Sequence, residues 1–175
     1  MSAFPDSQSL SINVKKWALP LYRYNTPTLW QLTAPDLYIR TIPRAINENM
    51  TRIDISFVTQ ETVKQVEIAY EKIKKALAKT YPDKEFLNCV EFPGDYTGRI
   101  QCSIKHQDSV LKDADNHIFT DVSKIVRGLP IRTIIFELIP FCHEKTCGVY
   151  LTIDGIAFSK KESSVLGKRV RAVDF

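Results

Sequence analysis

The chain has 175 residues, of which 44% are hydrophobic and 25% charged, and its formal net charge is +4 at pH 7. This composition is ordinary for a globular protein, and the length suits one domain with a sizeable core. Six glycines are few for a glycine-rich nucleotide-binding fold. The modest positive charge permits contact with phosphate or anionic lipid without requiring it.

No targeting or membrane segment is evident in the pattern. The first ten residues are polar and lack the apolar core of a secretory signal. The apolar run 134–141 is interrupted by Glu137 and Pro140 and is too short to span a bilayer. We therefore expect a soluble intracellular protein, at most peripheral to a membrane, whose cysteines are free thiols.

Residues 1–35 are predicted to form an extended arm. The segment lacks a helical period, and residues 17–35 hold both tryptophans together with three prolines. Proline blocks regular structure, yet aromatic side chains are costly to leave in water. The arm is therefore expected to pack either on its own domain or on a neighbouring copy. The candidate self-association residues are Trp17, Leu19, Pro20, Tyr22, Tyr24 and Trp30.

A short strand followed by a long helix is predicted next. In residues 52–58 apolar and polar side chains alternate, which is typical of a half-buried strand. Thr59 then suits a helix N-cap, and the helix is expected over about 61–81, where Pro82 ends it. Its apolar stripe comprises Val63, Val66, Ala69, Tyr70, Ile73, Ala76 and Leu77.

The opposite side of this helix carries a lysine face. At 100° per residue its cations fall within roughly one quadrant around Ile68. Glu71 is positioned to pair with Lys75. The face is either an ordinary solvated surface or a basic docking face for an acidic surface, with Ile68 as an apolar anchor. Its lysines are Lys64, Lys72, Lys75 and Lys79.

The second half of the chain reads as further strands and one smaller helix. Residues 86–92 and 99–105 predict a hairpin, because the second segment alternates well and a turn sequence separates the two. A cap at Asp115 or Asn116 and apolar residues at helical spacing predict a helix over about 116–128.

The C-terminal third is predicted to close the sheet. The nearly continuous apolar segment 131–139 suits a central strand, and Asp154-Gly155 between apolar runs indicates a hairpin turn. Residues 159–175 are expected to be a basic tail with Lys168, Arg169 and Arg171.

The predicted fold class is α+β, with a mainly antiparallel sheet packed on one long amphipathic helix (about 61–81) and a second short helix (about 116–128). The predicted domain spans 36–158, between the arm and the basic tail.

Catalytic and metal-binding motifs are not found. No phosphate-binding loop, dinucleotide fingerprint, zinc-protease or nucleophile-elbow motif occurs. Cys142, His143 and Cys147 have a tolerable zinc spacing, but further ligands are missing nearby. Asp108, Asp113 and Asp115 do not follow the calcium-loop pattern. We expect a protein that is not an enzyme and has no metal or other cofactor. Signatures of sequence-specific nucleic-acid modules are likewise missing, which leaves non-specific contact with the backbone open.

The strand at 52–57, the helix to Tyr81, the strands through Lys105 and the closing strands 131–158 resemble, together with the arm, a viral matrix protein. More narrowly, the chain is similar to the small matrix proteins of plant rhabdoviruses. This resemblance implies a structural protein of the host cytoplasm and the virion. It would self-associate, condense the nucleocapsid or its RNA, and lie peripherally against an anionic membrane.

On that interpretation the arm reaches a neighbouring copy, and the helix face and tail meet the nucleocapsid or the lipid. These contact residues are Lys64, Ile68, Lys72, Lys75, Lys79, Lys168, Arg169 and Arg171. One alternative is a small RNA-binding viral accessory protein, such as a silencing suppressor or movement protein. Another is an intracellular enzyme of unrecognised type.

Overall fold

The computed structural model describes residues 29–94 and 97–160. The long helix is α1 (Gln60–Thr80), and a 3-10 turn occupies Val122–Lys124. The strands are β1 (Leu29–Thr33), β2 (Tyr38–Ile39), β3 (Arg44–Asn47), β4 (Met50–Phe57), β5 (Glu85–Leu87), β6 (Val90–Gly94), β7 (Thr97–Lys105), β8 (Val110–Lys112), β9 (Ile118–Phe119), β10 (Ile131–Cys142) and β11 (Thr146–Phe158).

The main sheet closes into a barrel. Its strand order is β1-β10-β11-β7-β4-β2, and the two ends of this path are consecutive stretches of the chain. The junction is held by the Ile39 amide, which donates to the Leu129 carbonyl at 3.0 Å, and by the Ile131 amide, which donates to the Leu37 carbonyl at 2.9 Å. Along the path every pairing is antiparallel except that between β7 and β11, which is parallel.

The barrel interior is filled by alternate residues of each strand. In β4 and β7 the inward side chains are almost fully buried, whereas the residues between them are mostly polar and face outward. Trp30 of β1 packs on Phe136 of β10, with ring centroids 5.3 Å apart. The inward residues of β4 and β7 are Ile53, Ile55, Phe57, Ile100, Cys102 and Ile104.

Helix α1 packs against β5, β7 and β11 through its predicted apolar stripe. Its start is fastened by Asp36, whose carboxylate accepts hydrogen bonds from the Val58 amide (2.8 Å), the Thr59 amide (2.9 Å) and the Thr62 hydroxyl (2.6 Å). In addition, the hydroxyl of Thr59 caps the helix at the Thr62 amide. None of the helices in the described part of the chain has the length and apolar character that crossing a bilayer requires.

The predicted architecture is wrong. The sheet does not lie open on a long helix; it curls and covers its own apolar face, so that α1 covers only part of the barrel. It is also mixed, since β11 runs parallel to β5, β7 and β8. Which strands neighbour each other is decided by long-range packing, which alternation within a strand does not reveal.

The second helix predicted over 116–128 is also wrong. Ile118 and Phe119 form β9, which pairs with β8, and Phe119 packs near Phe158 with ring centroids 6.1 Å apart. Ile118 is 68% exposed, so the residues at helical spacing do not share a buried face. Asn116 has a φ of 67°, which ends any helical path there.

The prediction that Asp154-Gly155 forms a hairpin turn is wrong. β11 continues through it, and the register passes from Gly155 opposite Ile135 to Ile153 opposite Phe136. Asp154 is therefore the additional residue of a β-bulge. The turn between β10 and β11 lies instead at residues 143–145, and the His143 amide closes it by donating to the Thr146 carbonyl at 2.8 Å.

Trp30 does not belong to a free arm. It lies in β1, is only 1% exposed and contributes to the barrel core, which removes it from the set of residues available to a neighbouring copy. The remaining self-association candidates lie outside the described residues, as does most of the basic tail. These candidates are Trp17, Leu19, Pro20, Tyr22 and Tyr24, and the tail residues are Lys168, Arg169 and Arg171.

Candidate functional site

A polar and basic surface is formed by the outward side chains of β3, β4 and β7, here called the outer face. The register sets Arg52 of β4 opposite Ser103 of β7, and Asp54 opposite Gln101. Because the inward positions of both strands are apolar, these side chains have no place in the core and lie toward solvent.

Two arginines on the outer face are direct neighbours. Arg44 of β3 lies opposite Arg52 of β4, and both side chains are exposed. Neither forms an ion pair with any carboxylate of residues 29–94 and 97–160. Arg99 differs, because Glu91 accepts a hydrogen bond from its guanidinium and neutralises it. The Arg44–Arg52 pair therefore leaves this end of the face with uncompensated positive charge.

Three aromatic rings follow one another along the β10–β11 hairpin and form what we call the aromatic ladder. Phe141 stacks on Tyr150 with ring centroids 4.4 Å apart and planes inclined by 26°. The ring of His143 also lies near Phe141, at 5.0 Å between centroids. Tyr150 is 52% exposed, which leaves much of its ring open to a ligand.

A close approach between ring and backbone holds the ladder in place. A Cβ atom at Gly148 would lie 2.7 Å from Cζ of Phe141, so the ring rests against the backbone of β11 in space that only glycine leaves. The hairpin tip is supported by Lys84, whose ammonium donates to the His143 carbonyl at 2.7 Å and to the Glu144 carbonyl at 2.8 Å.

The ladder and the arginines lie on the same side of the barrel wall. Ser103, which faces Arg52, is also the register partner of Thr152 in β11, and Tyr150 is two residues before Thr152. Residues two apart on a strand point to the same side, so Tyr150 shares the outer face. Two inter-strand spacings, on the order of 10 Å, separate the backbones of Arg52 and Thr152.

The helix lysines are exposed, as the sequence indicated, but they do not belong to the outer face. Within the described ranges none of them forms an ion pair, and Glu71 pairs with Lys74 at 3.8 Å rather than with Lys75. Ile68, in their midst, is also exposed. Their role as a docking surface stays a prediction. The four lysines are Lys64, Lys72, Lys75 and Lys79.

One cluster of potential metal ligands occurs among the described residues, in the turn between β8 and β9. Asp113, Asp115 and His117 bring ligand atoms within 4.8 Å of one another, but the carboxylate of Asp113 already accepts from the amides of Asp115 and His117 in a tight turn. Cys142 and Cys147, whose spacing was tolerable for zinc but which lacked further ligands nearby, lie opposite each other across the hairpin. Burial raises the pKa of the Cys147 thiol, which makes it a poorer nucleophile at neutral pH.

The sequence contained part of this site. Alternation marked Arg52 and Asp54, and likewise Gln101, Ser103 and Lys105, as outward-facing, but it offered no reason to prefer them to the lysines of the helix. The register that sets Arg44 beside Arg52, and Phe141 beside Tyr150, is a tertiary property.

No protein-family model and no curated protein matches the chain. Among solved structures it is similar to gp2.5, a single-stranded DNA-binding protein encoded by bacteriophage T7 (TM-score 0.54, 13% identity, 79% of this chain and 89% of that chain). It is also similar to the single-stranded DNA-binding protein of bacteriophage Enc34 in complex with ssDNA (TM-score 0.52, 6% identity, 77% and 88%). The chain shares the fold of these phage proteins.

This likeness of fold overturns the resemblance to rhabdovirus matrix proteins, and with it the matrix function at an anionic membrane. The barrel is of the OB type, in which five strands close with Greek-key connections. In chain order its five strands are β1 continued by β2, then β4, β7, β10 and β11, and around the barrel β11 lies between β7 and β10.

Proposed function

We propose that the chain binds single-stranded nucleic acid, DNA in the first place, along its outer face. In OB barrels the second and third strands and the loops joining strands 1–2 and 4–5 bind oligonucleotides. Here those strands are β4 and β7, and the two connections are residues 40–49, which include β3, and residues 143–145. The observation that carries the proposal is the unpaired Arg44–Arg52 pair, which shares one face with an exposed aromatic ladder.

The combination of charge and rings suits a single strand rather than a duplex. Cationic side chains neutralise the phosphates, which any nucleic acid presents. Stacking on Tyr150 requires a base whose face is free, and only an unpaired strand offers one. Because every base has such a face, we expect binding with little sequence preference.

The fold neighbours favour DNA over RNA as the ligand. The T7 and Enc34 proteins are single-stranded DNA-binding proteins, and the Enc34 protein has been solved with ssDNA. Of the interpretations offered by the sequence, the RNA-binding accessory protein comes nearer to this proposal than the matrix protein does. In the proposed role the chain is a binding protein and not an enzyme.

The test is fluorescence anisotropy of the full chain with labelled oligodeoxythymidylate, matched oligouridylate and a duplex of equal length, each at several salt concentrations. We expect the tightest binding to the DNA single strand, weakening with salt by a log–log slope of about −0.7 per neutralised phosphate. Preference for RNA would move the proposal to its RNA alternative. Equal or tighter binding to the duplex would contradict the role of stacking.

The surface is assigned by two sets of variants. Arg44→Ala with Arg52→Ala should weaken binding, whereas changing Lys64, Lys72, Lys75 and Lys79 to alanine should leave it nearly unchanged. The reverse result would place the interface on α1 and not on the outer face. The lysine variant serves as the matched control, because it removes even more positive charge from the chain.

A further inference from the structure

A cleft of about 490 Å³ opens beside the outer face, at the point where β2 ends. One wall is the chain from Tyr38 to Ile42, and the other is formed by Arg127 and Gly128. This volume falls within the range of small-molecule sites and suits a ligand of nucleotide size. Residues 40–42 and Arg127 are exposed, so the cleft is open to solvent along its rim.

Backbone hydrogen bonds bring the two walls together. The Gly128 amide donates to the Ile39 carbonyl at 2.8 Å, and the Ile39 amide donates to the Leu129 carbonyl at 3.0 Å. Gly128 has a φ of 87°, a left-handed conformation that glycine adopts without strain. Arg40 directly follows Ile39 on one wall, and Arg127 directly precedes Gly128 on the other. The two arginines are therefore held at the same cleft.

The cleft has a positive charge that its surroundings do not cancel. Neither Arg40 nor Arg127 forms an ion pair with a carboxylate of the described residues. The nearest acid by register is Asp54, whose carbonyl accepts from the Arg40 amide at 2.8 Å, but its carboxylate does not pair with the guanidinium. Two guanidinium groups beside one cavity match a phosphate, which arginine binds through paired hydrogen bonds.

The cleft also lies in line with the proposed binding face. Tyr38, which lines the cleft, is opposite Ser56 of β4, and Ser56 is opposite Arg99 of β7. The cleft therefore lies at one end of a row of register partners that crosses the outer face. A nucleic-acid strand that stacks on Tyr150 of β11 and crosses β7 and β4 reaches this cleft beside β2. The path covers three spacings between β-strands, on the order of 14 Å.

We propose that the Arg40–Arg127 cleft binds the terminal phosphate of a nucleic-acid strand lying on the outer face. A phosphate monoester carries a charge of about −1.5 to −2 at neutral pH, compared with a single charge on an internal diester. Two arginines therefore complement the charge of a terminal phosphate better than that of an internal phosphodiester. This inference rests on the proposed function and adds to it a preference for phosphorylated ends.

The experiment compares oligodeoxythymidylates of equal length that bear a 5′-phosphate, a 3′-phosphate or only hydroxyl ends. The full chain should bind one phosphorylated form about tenfold more tightly than the hydroxyl-ended form, as expected for one additional charge-assisted contact. In Arg127→Ala and Arg40→Ala this preference for the phosphorylated strand should disappear. The affinity of these variants for the hydroxyl-ended strand should fall by a smaller factor than the affinity for the phosphorylated strand. Arg132→Ala is the matched control, because Arg132 donates to Asn116 at 2.6 Å and does not line the cleft.

The outcomes separate the two proposals. If the chain binds all three strands equally, or if Arg127→Ala keeps the preference, the cleft proposal is overturned while the proposed function stands. If no strand binds, the proposed function fails, and thymidine 5′-monophosphate then tests the cleft by itself. A rise in Tm with this nucleotide for the unmodified chain and not for Arg127→Ala would uphold the site, and no rise would overturn it.

Discussion

Arg44 of β3 lies directly opposite Arg52 of β4, and no carboxylate of the described residues pairs with either. Like charges in direct opposition on neighbouring strands oppose pairing by roughly 0.2–1 kcal/mol. The same pair is the strongest reason to assign the outer face to a polyanion, because a bound phosphate turns the repulsion into attraction.

The first prediction concerns this pair. Arg52→Ala should weaken binding to single-stranded DNA and reduce the steepness of the salt dependence by about one phosphate contact. It should also leave the free energy of unfolding unchanged or raise it by a few tenths of a kcal/mol, since it removes a repulsion. Anisotropy titrations and urea unfolding of the same variant measure the two effects.

A parallel loss of stability and affinity in Arg52→Ala would contradict this account, since it would give Arg52 a structural role. Gln101→Ala is a suitable control, because Gln101 is exposed on the same face and carries no charge.

The second prediction concerns the aromatic ladder. Tyr150→Ala should lower the affinity for single-stranded DNA by about 1–3 kcal/mol, the usual value of one base stacked on an aromatic side chain. Tyr150→Phe keeps the ring and should bind as the unmodified chain does. The measurement is the dissociation constant of a labelled oligothymidylate at fixed salt.

Gly148→Ala tests the ladder without removing a ring. The added methyl group would meet Phe141 at well below contact distance and must displace its ring from Tyr150. Reduced affinity in this variant would show that the ordering of the rings contributes to DNA binding. Unchanged affinity would show that, of the stacked pair, only Tyr150 contributes.

The third prediction concerns the start of α1. Asp36→Ala deprives the Val58 and Thr59 amides and the Thr62 hydroxyl of their acceptor and should lower the free energy of unfolding by about 2 kcal/mol. Asp36→Asn keeps one acceptor oxygen and should lose less. Urea unfolding followed by far-ultraviolet circular dichroism gives both values, and equal losses would exclude this role of the carboxylate.

The fourth prediction concerns the bulge in β11. Burial raises the pKa of the Asp154 carboxyl, so the folded protein holds this proton more tightly than the unfolded chain does. The associated stability is present at low pH and is lost as the pH rises through the raised pKa. Asp154→Asn cannot ionise, so its advantage in unfolding free energy over the unmodified chain should grow with pH and then level off. Urea unfolding from roughly pH 3 to pH 8 covers the carboxyl range. A difference that does not vary with pH would contradict the assignment.

Local periodicity was sufficient for some elements of this fold. The helix predicted over 61–81 is present at Gln60–Thr80 with Thr59 as its N-cap, because capping and a 3.6-residue apolar stripe are properties of neighbouring residues. The pairing of β6 with β7 likewise follows the predicted hairpin, although residues 85–87 pair with β11 instead.

Where a local pattern is compatible with several structures, the prediction made from it was wrong. The apolar spacing of residues 116–128 fits a helix, yet Ile118 and Phe119 find strand partners in β8. An Asp-Gly pair fits a hairpin turn, yet it also fits a bulge within one long strand.

The sequence by itself determined which side of each strand is apolar, where the long helix starts and ends, and that the chain is basic. Only the tertiary structure decided that the sheet closes with β11 parallel to β7, and that closure sets Arg44 beside Arg52, Arg40 beside Arg127 and Phe141 on Tyr150. The physical reason is that alternation specifies a face but not a neighbour. Neighbours are chosen by packing between segments far apart in the chain, and the candidate site consists of such neighbours.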